Sequence, residues 1–179
     1  MKELIELKHI TLKNASKEYI NWLKDEETIR YTQQNFSWPN KKKLKTFIKE
    51  NMKSKEIKFY GIFLNSKHVG NIRVGPIIKN HKTAYIGYLV SKKNWGKGIA
   101  TLAINKACEI AFKKLEIKKI NAATMELNIP SQKALIKNKF KKEGVLKKQC
   151  IYKNKRFDEY YYGLSIKDFK KITSFKNLY

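Results

Sequence analysis

The stretch best equipped for chemistry is Asn94-Trp95-Gly96-Lys97-Gly98-Ile99-Ala100-Thr101, where two glycines stand directly ahead of a helical apolar pattern. Gly96 and Gly98 tolerate positive φ, and without a Cβ they let a ligand come close to the backbone. The first N–H groups of the following helix lack intrahelical partners and lie at the positive end of its dipole. Free amides leading into a helix N-terminus make an anion site suited to a diphosphate, and Lys92, Lys93 and Lys97 add cationic reach. A Walker loop is excluded, because Gly98 follows Lys97 and Ser91 stands where its first glycine belongs. A dinucleotide fingerprint is excluded too, since its third glycine position holds Thr101. On the residues alone, an anion loop and a turn merely shaped by two glycines remain equally open.

The surrounding elements must hold that loop in place. Leu4 to Leu12 alternates imperfectly and predicts a first strand. Ser16 caps a predicted helix running to about Lys24, Asp25 to Trp38 is read as irregular, and Pro39-Asn40 opens a second helix with Leu44, Phe47 and Ile48 on one face. Ile57 to Leu64 and His68 to Ile78 form a predicted hairpin, its second strand bent at Gly75-Pro76, and Thr83 to Val90 adds a third strand after a turn at Asn80-His81. From Gly98 to about Lys114, Ile99, Leu102, Ala103, Ala107, Ile110 and Ala111 follow helical spacing. A strand from Lys119 to Leu127, a short helix from Pro130 to Asn138, a strand from Phe140 to Leu146 and a hairpin turning near Asn154 complete the pattern. The strand–helix–strand unit from Tyr85 to Leu127 implies one parallel pairing inside an otherwise antiparallel sheet. The predicted class is α+β, a mixed sheet flanked by helices.

The totals fit one domain over 1–179, with 42% apolar and 12% aromatic residues enough for a packed core. Cys108 and Cys150 give neither a metal spacing nor a disulfide framework. The charged start and the lack of any ~18-residue apolar run point to a cytoplasmic protein with no membrane partner. A net charge of +25 raises nucleic acid as a partner. Against it, only Arg30, Arg73 and Arg156 among 40 cationic residues are arginine, the residue that makes bidentate contacts, and the lysines are spread evenly.

Further motifs bear on the loop. Lys93 to Gly98 resembles the Gln/Arg-x-x-Gly-x-Gly/Ala signature of the GNAT superfamily of acyl-CoA-dependent N-acyltransferases. Trp95 to Thr101 is similar to the form found in its branch of ribosomal-protein N-terminal acetyltransferases and their bacterial amino-sugar-nucleotide relatives. Tyr85-Ile86-Gly87-Tyr88, Asn128-Ile129-Pro130-Ser131 and Glu143-Gly144 resemble further family motifs and fall in family order, so the match covers about Ile57 to Leu164. The resemblance implies a GNAT-like sheet whose parallel strand pair splays apart, with acetyl-CoA as cosubstrate and no metal. It implies that Lys93, Asn94, Trp95, Gly96, Lys97, Gly98, Ile99, Ala100 and Thr101 hold the pyrophosphate. Backbone groups of Leu89 and Val90 would take the pantetheine, Asn128 would assist, and Ser131 would cap its helix and face the thioester sulfur.

Attack of an amine on a thioester needs a proton acceptor, an oxyanion donor and a proton for the thiolate. The residues many relatives use for proton transfer are replaced here by Tyr85, Leu135 and Cys150. The remaining candidates are Glu126, Ser131, Tyr85 and His81, each with a plain structural alternative: a strand-end carboxylate, a helix cap, a core tyrosine and a turn histidine. Arg30, Tyr31, Trp38 and Arg73 are candidates for the acceptor pocket. Val69 to Ile77 resembles a stretch of a subgroup associated with sialic-acid-like sugars, which points to an amino-sugar nucleotide in surface glycan synthesis. A protein N-terminus is the alternative acceptor, and a basic RNA-associated module is the alternative of another class. The tail from Lys167 to Tyr179 either packs as a helix or mediates association, for instance as a homodimer.

Overall fold

The structure is a computed structural model that describes residues 5–32 and 40–170. Its centre is a seven-stranded sheet in the order β1-β2-β3-β4-β5-β7-β6. The strands are β1 (Ile5–His9), β2 (Lys58–Leu64), β3 (Lys67–Ile78), β4 (Thr83–Val90), β5 (Lys119–Met125), β6 (Lys141–Tyr152) and β7 (Lys155–Ser165). Every neighbouring pair is antiparallel except β4–β5, which is parallel. That is the mixed, mostly antiparallel sheet expected from the sequence.

Helices cover the two faces unequally. α4 (Ile99–Lys114) crosses from β4 to β5 and buries Ile99, Ala103, Ile104, Ala107, Cys108 and Ala111 against Ile72, Val74, Ile120 and Leu164. Each fully buried isoleucine contributes about 1.5–3 kcal/mol. Leu102, expected on this face, is 47% exposed: at 100° per residue it lies opposite the centre of the buried arc, which Ile104 and Cys108 complete. On the other face, α1 (Lys17–Lys24) and α3 (Lys41–Lys53) form a second core with Phe59, from Tyr19, Trp22, Leu23, Leu44 and Ile48. Ser16 Oγ and Asn40 Oδ1 cap them, accepting from Tyr19 N–H at 3.1 Å and Lys43 N–H at 2.9 Å.

Several boundaries differ from expectation, each for a local reason. Within the stretch read as irregular stands α2 (Glu26–Ile29), whose N-cap Asp25 accepts from Glu27 N–H and, at 2.6 Å, from Thr28 Oγ1. β1 ends at His9, and Thr11 N–H instead donates to Asn14 Oδ1 at 2.8 Å, closing a 3-10 turn at Leu12–Asn14. β5 stops at Met125 because Asn128 N–H folds back onto its carbonyl at 2.9 Å. β6 runs past Leu146 to Tyr152, through an irregularity between Leu146 and Cys150 where Lys148 has φ 53°. That irregularity breaks the two-residue alternation on which a sequence-based boundary depends. Beyond β7, Phe169 packs its ring 5.1 Å from Phe112 on α4, so the described start of the tail docks on the core.

Candidate active site at the splayed strand pair

The β4–β5 pairing stops early. It holds only at Thr83↔Lys119, Ala84↔Ile120 and Tyr85↔Asn121, although β4 continues to Val90 and β5 to Met125. A wedge therefore opens between Ile86–Val90 and the end of β5. Ser91 N–H donates to Val69 C=O at 2.9 Å, which fixes the alternation along β4. Leu89 and Gly87, opposite Asn71 and Arg73, turn their backbone groups to β3, whereas Tyr88 and Val90 turn theirs to the wedge. Tyr88 therefore takes the place expected for Leu89. The Val90 carbonyl is already taken by Trp95 Nε1 at 2.7 Å, leaving its N–H as the wedge-facing donor.

The glycine turn sits at the mouth of the wedge. Gly96 has φ 76° and Gly98 φ 73°, and a Cβ built on either meets no atom within 4 Å. Gly98 is the N-cap of α4 and supplies no side-chain cap, and the first turn carries no acid. Open amides at the head of a 16-residue helix, bordered by open space, fit a diphosphate. The loop is braced from below: buried Asn94 donates through Nδ2 to Ser91 Oγ at 2.8 Å and accepts from Lys97 Nζ at 3.4 Å. Lys92 pairs with Glu27 at 3.0 Å, tying α2 to the loop. Lys93, Ile99, Ala100 and Thr101 flank it, with Ile99 in the core and the Thr101 carbonyl held by Asn138 Nδ2 at 3.0 Å.

Along the wedge, α5 (Ile129–Lys137) approaches β4. Asn128, not Ser131, caps α5: Asn128 Oδ1 accepts from Ser131 N–H at 3.3 Å. That frees Ser131 Oγ to meet the Tyr88 hydroxyl at 2.7 Å. Burial pushes the Tyr88 phenol up to about 12, with Ser131 tempering the rise. Such a phenol holds its proton and serves as a hydrogen-bond donor. Thr124 lies on β5 at the level of Tyr88, and its buried Oγ1 has no hydrogen-bond partner. An orphaned hydroxyl on the wall of a strand-shaped gap is what an amide-bearing guest would satisfy.

The other candidates separate. Glu126 is clasped to β7: its carboxylate accepts from Asp158 N–H at 3.0 Å and its own N–H donates to Asp158 C=O at 2.9 Å. A role as base requires that clasp to open. His81 is exposed in a 3-10 turn at the start of β4, the end remote from the wedge, so the structure does not bring it to this site. Tyr85 is half-buried on the face opposite α4, where Arg73 also lies, against Gly87. Arg30 lies over the rings of Tyr31 at 4.7 Å and Trp95 at 5.8 Å, and Tyr31 meets Tyr152 at the end of β6 at 5.7 Å. Trp38 falls outside the described residues. Sequence reasoning missed Tyr88, Thr124, Tyr152 and, on β7, Glu159 and Tyr161.

A mostly antiparallel sheet split at one parallel pair, with an amide-lined turn at the split, defines the class of fold. The chain belongs to the acetyltransferase (GNAT) domain family, which it matches over residues 5–141. It is 35% identical over 106 residues to a probable N-acetyltransferase, YjcK, of Bacillus subtilis (strain 168). That match covers 58% of this chain and 59% of YjcK, so it spans less than two-thirds of that relative. Among solved structures, the microcin C7 self-immunity acetyltransferase MccE, in complex with acetyl-CoA and AMP, is 28% identical with a TM-score of 0.78, covering 93% of this chain and 94% of MccE. Spermidine N-acetyltransferase from Vibrio cholerae, in complex with CoA and spermine, shares the fold: its TM-score is 0.85 at 15% identity, over 93% of this chain and 98% of that one. No helix among the described residues is long and apolar enough to cross a membrane.

Proposed function

We propose that this chain transfers an acetyl group from acetyl-CoA to a primary amine, and that the acceptor is a small molecule bearing a nucleotide. The first part rests on the wedge between β4 and β5 and the open glycine turn at its mouth. The turn amides hold the diphosphate. The wedge-facing groups of Tyr88, the Val90 N–H and the Thr124 hydroxyl receive the peptide-like arm. The Val90 N–H also suits a developing oxyanion. Tyr88 and Ser131 use one O–H for their mutual hydrogen bond and offer the other to the departing thiolate; a phenol at about 12 keeps its proton, so CoA leaves as the thiolate and is protonated by equilibration with the buffered solvent.

The second part is favoured by the cluster of Arg30, Tyr31, Trp95 and Tyr152, which offers aromatic faces and a guanidinium at the acceptor side of the loop. MccE, bound to acetyl-CoA and AMP, supports the same class. The stretch from Val69 to Ile77 that pointed to an amino sugar is largely buried strand, with Val69 to Ile72 and Val74 in the interior. It therefore reports on packing and carries no information about a sugar.

The test is calorimetric titration with acetyl-CoA, followed by free-thiol release with a UDP-linked amino sugar, an aminoalkyl ester of AMP, spermidine and a peptide with a free N-terminus. The nucleotide-bearing amines should lead in kcat/KM by at least tenfold. Preference for spermidine or the peptide removes the nucleotide from the reading. Tight acetyl-CoA binding with no thiol release from any of them removes the transfer itself.

A further inference from the structure

Glu159 on β7 is 4% exposed, and among the described residues it is the one buried Asp, Glu, Lys, Arg or His side chain. It is hydrogen bonded to Tyr161. The alternation of β7 sends Tyr160, Tyr162 and Leu164 toward α4, so Glu159 and Tyr161 point to the other face. On β4 the same alternation sends Ala84, Ile86 and Val90 toward α4 and leaves Tyr85 and Gly87 on the face of Glu159. The helical layer on that face, α1 and α3, is built onto Phe59 of β2, so it sits toward the β1–β3 half of the sheet.

Register sets the depth. Tyr85 is level with Asn121 across the parallel pair, so Ala123 and Met125 are level with Gly87 and Leu89, where the wedge is open. Across the next pair, Ala123 faces Tyr161 and Met125 faces Glu159. The carboxylate and the phenol thus lie one strand beyond the wedge, about 5 Å past β5. On this face the Ala123 methyl is the side chain between the wedge and Tyr161. The titratable and charged groups facing Glu159 are Tyr161 on its own strand, Cys150 on β6, Tyr85 on β4 and, farther along, Arg73 on β3; β5 contributes Ala123 and Met125, which do not titrate.

Building on the acetyl-transfer reading, we propose that Glu159, oriented by Tyr161, is the group that receives the acceptor's ammonium and takes its proton. A carboxylate shielded from water and held by Tyr161 attracts a cation brought to the open end of the wedge. The acceptor R–NH3+ gives one proton to Glu159. Its nitrogen lone pair forms the C–N bond at the thioester carbonyl carbon, and the C–S bond breaks with its electron pair moving to sulfur. The second amine proton and the one on Glu159 leave to water, and the sulfur takes one proton back. One proton is released per turnover. Tyr161 is a positioning residue: its phenol stabilises the charged carboxylate.

The experiment uses the full chain, with the amine of the panel above that gives the highest kcat/KM. Glu159→Gln should keep acetyl-CoA affinity within threefold of wild type, lower kcat/KM for the amine at least 100-fold at pH 7 and flatten the acidic limb of the pH profile. Tyr161→Phe removes a hydrogen bond to the charged carboxylate, so it should move that limb to higher pH with a smaller loss of rate. Glu159→Gln with kcat/KM within threefold of wild type overturns the proposal. So does a limb unchanged in both variants, whatever the rate, because a purely structural role would lower the rate without moving the limb. Should Glu159→Gln fail to fold, an unmoved limb in Tyr161→Phe overturns it alone. Wild type that binds acetyl-CoA yet releases no thiol overturns the transfer reading and this one with it; an active wild type beside an equally active Glu159→Gln overturns this one only.

Discussion

Gly98→Val separates the backbone role of the glycine turn from its role toward a ligand. Gly98 is held at φ 73°, a conformation that costs an L-residue about 1–2 kcal/mol. A Cβ placed there meets no protein atom within 4 Å, so strain is the only folded-state cost. For a chain of 179 residues that corresponds to a fall in Tm of roughly 2–8 °C. The strain is the same with and without ligand, so by itself it leaves binding unchanged. The valine methyls, however, fill the space over the first amides of α4. Losing two charge-assisted hydrogen bonds to a diphosphate, at about 1.5–3 kcal/mol each, weakens binding by about 3–6 kcal/mol. That is roughly a hundred- to ten-thousandfold in Kd. Calorimetry with acetyl-CoA and with CoA should show the same loss, because both carry the diphosphate. Pantetheine, which lacks it, should compete as well as before. A variant with the lower Tm and undiminished acetyl-CoA affinity would falsify the anion-site reading.

Thr124→Val removes a buried hydroxyl that has no hydrogen-bond partner. The free protein should gain about 1 kcal/mol or more, read as a higher Tm, while acetyl-CoA affinity falls about tenfold; loss of stability, or unchanged affinity, contradicts the assignment of Thr124 to the wedge wall. Glu27→Gln breaks the Lys92 pair, but both side chains are about half exposed, so thermal scanning should register less than about 1 kcal/mol. Burial lowers the His68 pKa below its ordinary value near 6.5, against the opposing hydrogen bonds that the ring donates to Asn71 Oδ1 and to the Gly70 backbone. The unfolded chain therefore takes up the proton first, so stability is full above about pH 6.5 and is lost on acidification toward the folded pKa. The Tm should fall between pH 7 and pH 5, less steeply in His68→Phe; parallel slopes would assign the fall to other groups.

How much of this could be read from the chain depends on whether a signal is local. The glycine turn is local: positive φ, a helix start and the apolar pattern all lie between Gly96 and Ala111. The parallel pair follows from one strand–helix–strand unit. α2 was readable in principle, since Asp25 ahead of Glu26 and Glu27 is an N-cap followed by acids in the first turn. The Tyr88–Ser131 contact was not, because its partners stand 43 residues apart and meet only when α5 folds back on the wedge. Glu159 shows the same limit more sharply. Phe157-Asp158-Glu159-Tyr160-Tyr161-Tyr162 carries an acid and an aromatic on each face, so periodicity cannot say which acid is buried. The pairing of Lys147 with Asp158 at 2.9 Å answers it: Asp158 is drawn to a surface lysine, and its neighbour is turned to the other face, beside Tyr161. A one-residue slip of β7 would exchange those two acids, so the register of a single strand decides which carboxylate stands beside the wedge.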